Sequence, residues 1–201
     1  MLNHLRPAIV LLGAFTILTG VAYPFAMTGI AQVAFPTQAN GSLVEQDGRI
    51  IGSSIMGQNF ASDRYFQSRP SATVGPDPAD SSKSISVPYN AANSGGSNYG
   101  PTSKALIERV KADVEARKAQ NPSQPVPMDL VTTSASGLDP DLSPEAALFQ
   151  VERVAKARGL PADKVRALVD RTVEPRTFGL LGEPRVNLLA LNLALDKLGA
   201  E

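Results

Sequence analysis

The sequence predicts an α+β protein, with a single N-terminal transmembrane helix followed by one extramembrane domain that holds a small β-sheet or hairpin and several helices. Three observations predict it. Residues 7–35 form an apolar run without a charge, an Asp-Gly pair separates two short apolar segments at residues 43–51, and apolar residues recur at helical spacing through the second half. The expected division is a cytoplasmic N-terminus (residues 1–6), a transmembrane anchor (7–35) and an extracytoplasmic α+β domain (36–201). Within that domain, residues 73–101 read as a long loop rich in Gly, Pro and Ser.

The run PAIVLLGAFTILTGVAYPFAMTGIAQVAF governs the rest. A bilayer core of roughly 30 Å takes about 20 apolar residues at 1.5 Å each, and residues 7–26 alone supply that length. Two other readings compete with a retained anchor. A cleaved signal could use Gly29-Ile30-Ala31, although its apolar region would be only about 7–15 residues. A buried core helix is the other, but such helices rarely run so far without a charge. Arg6, the amino terminus and His4 precede the run, and the first basic residue after it is Arg49. Cytoplasmic flanks carry the Lys/Arg excess, so the N-terminus is expected inside and the bulk of the chain outside.

The anchor has a packing face. Gly13, Thr16, Gly20 and Pro24 recur at helical spacing beside Ile17 and Met27, where small residues let another membrane helix approach. Pro24 cannot donate to the carbonyl of Gly20, which predicts a kink or local loosening there.

After an exit loop at residues 36–41, Asp47-Gly48 fits the positive φ angles of a type I′ turn and joins two strands into a hairpin. Tyr65 and Phe66 read as a short packed segment before Arg69-Pro70-Ser71. Residues 73–101 are interrupted only by Ile85-Ser86-Val87. A helix follows on Leu106, Val110 and Val114, flanked by Ile107, and must stop near Asn121-Pro122. Ser143 is a good N-cap before Pro144, and Leu148, Val151, Val154 and Ala155 carry one stripe as far as Gly159. Pro161 opens another helix through Val165, Leu168 and Val169, and Asn187 caps the last, which runs through Leu188, Leu191 and Leu195 to Gly199.

Composition removes several function classes. The chain has 19 acidic and 19 basic residues, so no bulk field argues for nucleic acid or anionic substrates. With no cysteine and a single histidine, His4 beside the membrane, disulfides, thiol nucleophiles, a Ser-His-Asp triad and His-rich metal sites all fall away.

The remaining motifs are few. Ser94, Gly95, Gly96, Ser97, Asn98 and Gly100 form a Gly-rich loop before a helix, the arrangement that cradles phosphate on backbone N–H groups. A Walker loop would end in Gly-Lys-Ser/Thr, however, and here Pro101 follows Gly100, so a flexible turn is the blander alternative. In the stretch that holds Ser134, Ser136, Asp139 and Asp141, the two aspartates could bind a cation but lack the spaced ligand set of an EF-hand, and a serine nucleophile would need a neighbouring base that no S-x-x-K motif supplies; a turn held by Asp139, with capping of the next helix, is the alternative. Gln150 and Arg153 share one side of their helix, Arg185 precedes the last helix, and Asn187 and Asn192 lie within it; polar groups so placed usually satisfy loop backbone. Thr73-Val74-Gly75 matches the start of a potassium filter, but Pro76 replaces the tyrosine and only one copy exists, so it is set aside.

Five strings occur in one order: Arg69-Pro70-Ser71-Ala72; Ser94-Gly95-Gly96-Ser97-Asn98 with Gly100-Pro101; Ser136-Gly137-Leu138-Asp139-Pro140; Gln150 with Arg153-Val154-Ala155; and Gly182-Glu183-Pro184-Arg185-Val186-Asn187. Together they resemble the C subunit of the bacterial potassium-transporting P-type ATPase, the Kdp system, over nearly the whole chain. The resemblance implies a non-catalytic accessory subunit in the bacterial inner membrane. Its partners would be a channel-like potassium-translocating subunit, an ATP-hydrolysing P-type subunit and a small single-span subunit. The Asp-Lys-Thr-Gly-Thr phosphorylation motif is missing from this chain, which agrees with hydrolysis in a partner. No tightly bound cofactor is implied, and ATP would be contacted only within the complex. The family has been described as a catalytic chaperone that raises the ATP affinity of the hydrolysing subunit. The Ser94 stretch resembles the Ser-Gly-Gly of an ABC-transporter signature, with Ser97 where that signature has glutamine.

A domain outside the membrane cannot touch cytoplasmic nucleotide across about 30 Å of hydrocarbon, so its influence there would be allosteric. The preferred expectation is a domain packed over the outer mouth of the translocating subunit, with residues 73–101 as the contact. A nucleotide-binding helper and a lone membrane-anchored hydrolase are the alternatives.

Overall fold

The computed structural model describes residues 2–199. It separates into two compact units, Met1–Ser53 and Ser54–Glu201.

In the first unit, α1 (Leu2–Ile17), a π-helical turn (Leu18–Ala22) and α2 (Tyr23–Ala34) form a continuous helix. Its span Asn3–Ala34 is long and apolar enough to cross a membrane, and none of its apolar window is buried, which is not how a core helix sits. Pro24 has no N–H for the carbonyl of Gly20, and the loosening falls one turn earlier. There the ladder widens, and the Tyr23 N–H reaches back to the Leu18 carbonyl.

The exit segment is a helical turn rather than the expected loop. Pro36 pre-sets the first φ of α3 (Pro36–Ala39), and the Asn40 side chain closes the turn by donating to the Pro36 carbonyl at 2.7 Å. The expected hairpin follows as antiparallel β1 (Leu43–Gln46) and β2 (Arg49–Ser53). Asp47 and Gly48 take φ of 51° and 72°, the positive pair a type I′ turn requires.

The second unit is built on four helices and a three-stranded antiparallel sheet. The helices are α5 (Pro144–Phe149), α6 (Val151–Arg158), α7 (Ala162–Thr172) and α8 (Leu188–Leu198). Strands β5 (Asp141–Leu142), β6 (Val173–Glu174) and β7 (Arg185–Asn187) pair in the order β5-β7-β6, with Val186 opposite both Leu142 and Val173. The core joins Phe149, Val154, Val165, Val169, Val186, Leu191 and Leu195 with Phe66, which arrives from a distant segment.

Three expectations need correction here. The helix read from Ser143 to Gly159 is broken at Gln150 (φ −89°, ψ −8°), whose buried side chain is bonded to the backbone of Gln67. The stretch read as loop contains a hairpin of β3 (Val74–Pro76) and β4 (Ser84–Ser86), too short and too rich in Pro and Ser to show alternation. The early-strand, late-helix pattern also missed β5, β6 and β7, each of two or three residues and without a two-residue period.

Helix α4 (Lys104–Gln120) is peripheral. Ser103 caps it and Asn121 ends it before Pro122. Leu106, Val110 and Val114 are half-buried along with Arg109, Asp113 and Arg117, whereas Ile107 is exposed. The other caps fall where the sequence set them. Ser143 accepts from the Ala146 N–H, Gly159 takes a left-handed φ of 67°, and Asn187 accepts from the Ala190 N–H.

Candidate functional site

Residues 63–67 make a turn at Asp63-Arg64, where the Tyr65 N–H donates to the Ser62 carbonyl at 3.1 Å, and then pass helices α6 and α8, pairing with side chains instead of a strand. The Asp63 and Tyr65 carbonyls accept from Arg153 at 2.7 and 3.1 Å, and that of Arg64 accepts from Arg158 at 2.6 Å. Phe66 exchanges both backbone bonds with the Asn192 amide, 2.9 Å on its N–H and 3.0 Å on its carbonyl. Gln67 does the same with the Gln150 amide, at 2.8 and 3.1 Å. Buried backbone must find partners, and a carboxamide offers a donor and an acceptor in the geometry of a peptide group. Gln150 and Asn192 are each 1% exposed, so they act as inserted strand mimics within the core. Burial lowers the pKa of Arg153 and Arg117, yet both stay cationic.

From this clamp the chain passes to Arg69, where three of the sequence motifs meet. Arg69 Nη1 donates to Asp139 Oδ2 at 2.6 Å and Nε donates to the Thr132 carbonyl at 3.4 Å. Ser71 donates to the Gly137 carbonyl at 2.8 Å, and Tyr89 donates its hydroxyl to the Arg69 carbonyl at 3.0 Å. Burial pushes the Tyr89 phenol above its ordinary value. The Ser136 carbonyl accepts from both the Gly95 N–H and the Ser94 hydroxyl, each at 2.9 Å, while Thr133 donates to Ser97 at 3.2 Å.

The glycines in this cluster answer to close approach. A Cβ on Gly96 would lie 2.9 Å from the Ala135 carbonyl oxygen. One on Gly137, at φ 68°, would lie 2.5 Å from the Thr73 methyl and 2.7 Å from the Gly95 oxygen. Gly100 by contrast has open space, and Asn98 takes a left-handed φ of 52°. The Gly95 N–H, one of the donors expected to cradle phosphate, is therefore already committed to Ser136.

Asp139 Oδ1 accepts from the Asp141 N–H at 3.1 Å and holds the expected turn, but the cap of the next helix belongs to Ser143, itself gripped by Asp129 at 2.8 and 3.1 Å. Arg69, Asp139, Asp141 and Arg185 line a cleft of about 600 Å³. Arg185 pairs with Asp141 at 3.3 Å and Glu174 at 2.7 Å. Asn187 donates to the Ser54 carbonyl and to Asp141 Oδ1. Burial raises the Asp141 carboxyl, outweighing the Asn187 hydrogen bond and the Arg185 charge.

Arg69, Ser94, Gly95, Ser97, Ser136 and Asp139 thus come together, while Arg185 and Asn187 both bind Asp141, which lines the cleft with Asp139. Gln150 and Arg153 act on residues 63–67 instead. Gly13, Thr16, Gly20 and Pro24 lie in the first unit, and a Cβ on Gly13 or Gly20 would meet nothing within 4 Å. Sequence reasoning missed Asp129 and Tyr89, which carry no local pattern. It also gave no role to the Arg158–Asp196 pair (2.6 Å), where Arg158 stacks 4.7 Å over the Tyr65 ring. Asn192 was legible, as an amide inside the Leu188–Leu195 stripe expected to satisfy loop backbone, and it does so at Phe66. Among the described residues no group of three His, Cys, Asp or Glu is placed to hold a metal ion.

The arrangement is an interlocked scaffold with an open, charged cleft. Residues 5–197 match the family model described as KdpC, the c chain of a K+-transporting ATPase. The chain belongs to the KdpC family. It is 65% identical over 201 residues, all of both chains, to the potassium-transporting ATPase KdpC subunit of Methylobacterium nodulans and equally to that of Bradyrhizobium diazoefficiens. It is 68% identical over 196 residues, 98% of each chain, to the subunit of that name from Rhodopseudomonas palustris. In this KdpC-family chain, three of the five strings behind the resemblance are those that interlock around Arg69 and Asp139.

Proposed function

We propose that the chain is a non-catalytic accessory subunit of an ATP-driven, high-affinity potassium uptake complex of the bacterial inner membrane. Its helix anchors it with the N-terminus cytoplasmic and residues 36–201 outside, where the domain stabilises the assembly and supports coupling of hydrolysis to import. Its partners are the potassium-translocating subunit, the ATP-hydrolysing subunit and the small single-span subunit. The observation that carries this reading is the unburied apolar helix Asn3–Ala34 within a family match that runs from residue 5 to residue 197. Such a helix needs lipid and neighbouring helices to cover it. Arg6 before the run, with the next cation at Arg49, supports the orientation.

The alternative, a helper that contacts ATP and raises the hydrolysing subunit's affinity, has less support. The Gly95 N–H is committed to Ser136 and Gly96 is pressed on Ala135. About 30 Å of hydrocarbon also separates an outside domain from the nucleotide.

A strain lacking this chain but making the other subunits tests the proposal. It should fail to grow at limiting potassium, and a tagged copy supplied back should restore growth and retain potassium-stimulated ATPase on the affinity resin. Growth without the chain, or ATP hydrolysis by the purified chain alone, would overturn it.

A further inference from the structure

Between β6 and β7 the chain makes an arm whose apolar tip covers nothing in its own unit. Phe178 is 88% exposed, more than any other large apolar side chain among the described residues, and Leu180 and Leu181 are 80% and 63% exposed. The tip is nonetheless ordered by its own backbone. Thr177 N–H donates to the Leu181 carbonyl at 2.9 Å, Leu181 N–H returns to the Thr177 carbonyl at 3.0 Å, and Gly179 N–H donates to Arg176 at 2.9 Å. Arg176 and Glu183 pair across the arm below it. Phe178 itself sits at φ 55°, a left-handed conformation that is an outlier for a bulky side chain. Strain of this kind persists where the surroundings impose it and clusters at binding and switch sites. Here it presents an aromatic ring to the outside on a preformed turn.

We propose that Phe178, Leu180 and Leu181 are the anchor by which this domain docks into an apolar pocket on the extramembrane face of another subunit of the same complex, an inference that rests on the assembly role above. The charges around the tip select that occupant. A segment that settles on a bilayer carries free cations for anionic headgroups. In this arm Arg176 is paired with Glu183, and Arg185 lies between Asp141 and Glu174, so the arm brings no net positive charge to a membrane. A second copy of the chain fits poorly as well. A stable interface covers about 800 Å² per partner, and even three side chains at the aromatic value of about 150–250 Å² each stay below that. A small, rigid aromatic plug suits a partner already held nearby in the membrane, where one or two central anchors dominate binding.

The test uses the intact complex purified through a tag on this chain, with p-benzoylphenylalanine at position 178. Irradiation should attach the chain to another subunit. Adducts only with lipid, only with a second copy of this chain, or with nothing would overturn the proposal while leaving the assembly role standing. If the wild-type chain retains no other subunit at all, the assembly role fails and the docking anchor with it. Phe178→Asn, which keeps a residue tolerant of left-handed φ, should leave thermal unfolding of the isolated chain unchanged. It should also lower retention of the other subunits under detergent challenge about tenfold. Unchanged retention would likewise overturn the docking anchor.

Discussion

The side-chain amide of Asn192 replaces a β-strand partner for Phe66, accepting from its N–H at 2.9 Å and donating to its carbonyl at 3.0 Å. Gln150 does the same for the next residue, so α8 and the junction of α5 and α6 hold one segment through a pair of carboxamides. Removing either amide orphans two backbone groups in a buried place. Asn192→Ala and Gln150→Ala are each expected to destabilise the chain by about 2–4 kcal/mol. Their sum should exceed the double variant's loss, because Phe66 and Gln67 are adjacent. Thermal unfolding in detergent measures this; a loss below about 1 kcal/mol for either would contradict the pairing.

The glycines divide by what surrounds them. Gly137→Ala must adopt φ 68° with a Cβ against Thr73 and Gly95, and is expected to lose about 2–4 kcal/mol. Gly100→Ala meets open space and should change stability by less than about 1 kcal/mol. The complex carrying Gly100→Ala should also transport potassium at the wild-type rate. A transport defect without a stability change would mark that turn as a contact.

Legibility in the sequence followed range. The hairpin at Asp47-Gly48 and the caps at Ser143, Gly159 and Asn187 are local chemistry, and all lie where turn and cap rules put them. The break at Gln150 has no local signal, and the backbone its side chain binds, at Gln67, lies far away in the chain. The Arg69–Asp139 pair joins two motifs that were each read alone, since no spacing rule connects residues so distant. The paired strands of the late sheet are too short for a period, and what fixes them is Val186 packing into the core between Leu142 and Val173.

Asp141 gives the chain a pH signature. Burial holds its folded-state carboxyl above the ordinary value of 3.8, against the Asn187 hydrogen bond and the Arg185 charge. The folded state therefore binds this proton more tightly than the unfolded chain. Its contribution to stability is fullest below 3.8 and declines as pH rises through the higher folded value. Asp141→Asn removes that titration. The stability of the variant relative to the wild type should climb as pH rises through this window and level off above it. A difference independent of pH would contradict the burial of the carboxyl.

In the membrane helix, a Cβ on Gly13 or Gly20 would meet nothing within 4 Å, so larger side chains fit the isolated chain. The double variant Gly13→Leu, Gly20→Leu should remain in the membrane fraction yet fail to co-purify with the other subunits, as expected of a small-residue packing face. Normal co-purification would put the packing face elsewhere on the helix.

The domain is proposed to stand outside the membrane, where it acts on assembly and not on nucleotide. The chain has no cysteine, and Ser123 is exposed in the connector after α4. Ser123→Cys, expressed with the complex and treated with a membrane-impermeant maleimide, reports that placement. Labelling of intact spheroplasts is the predicted result; labelling only after lysis would contradict it.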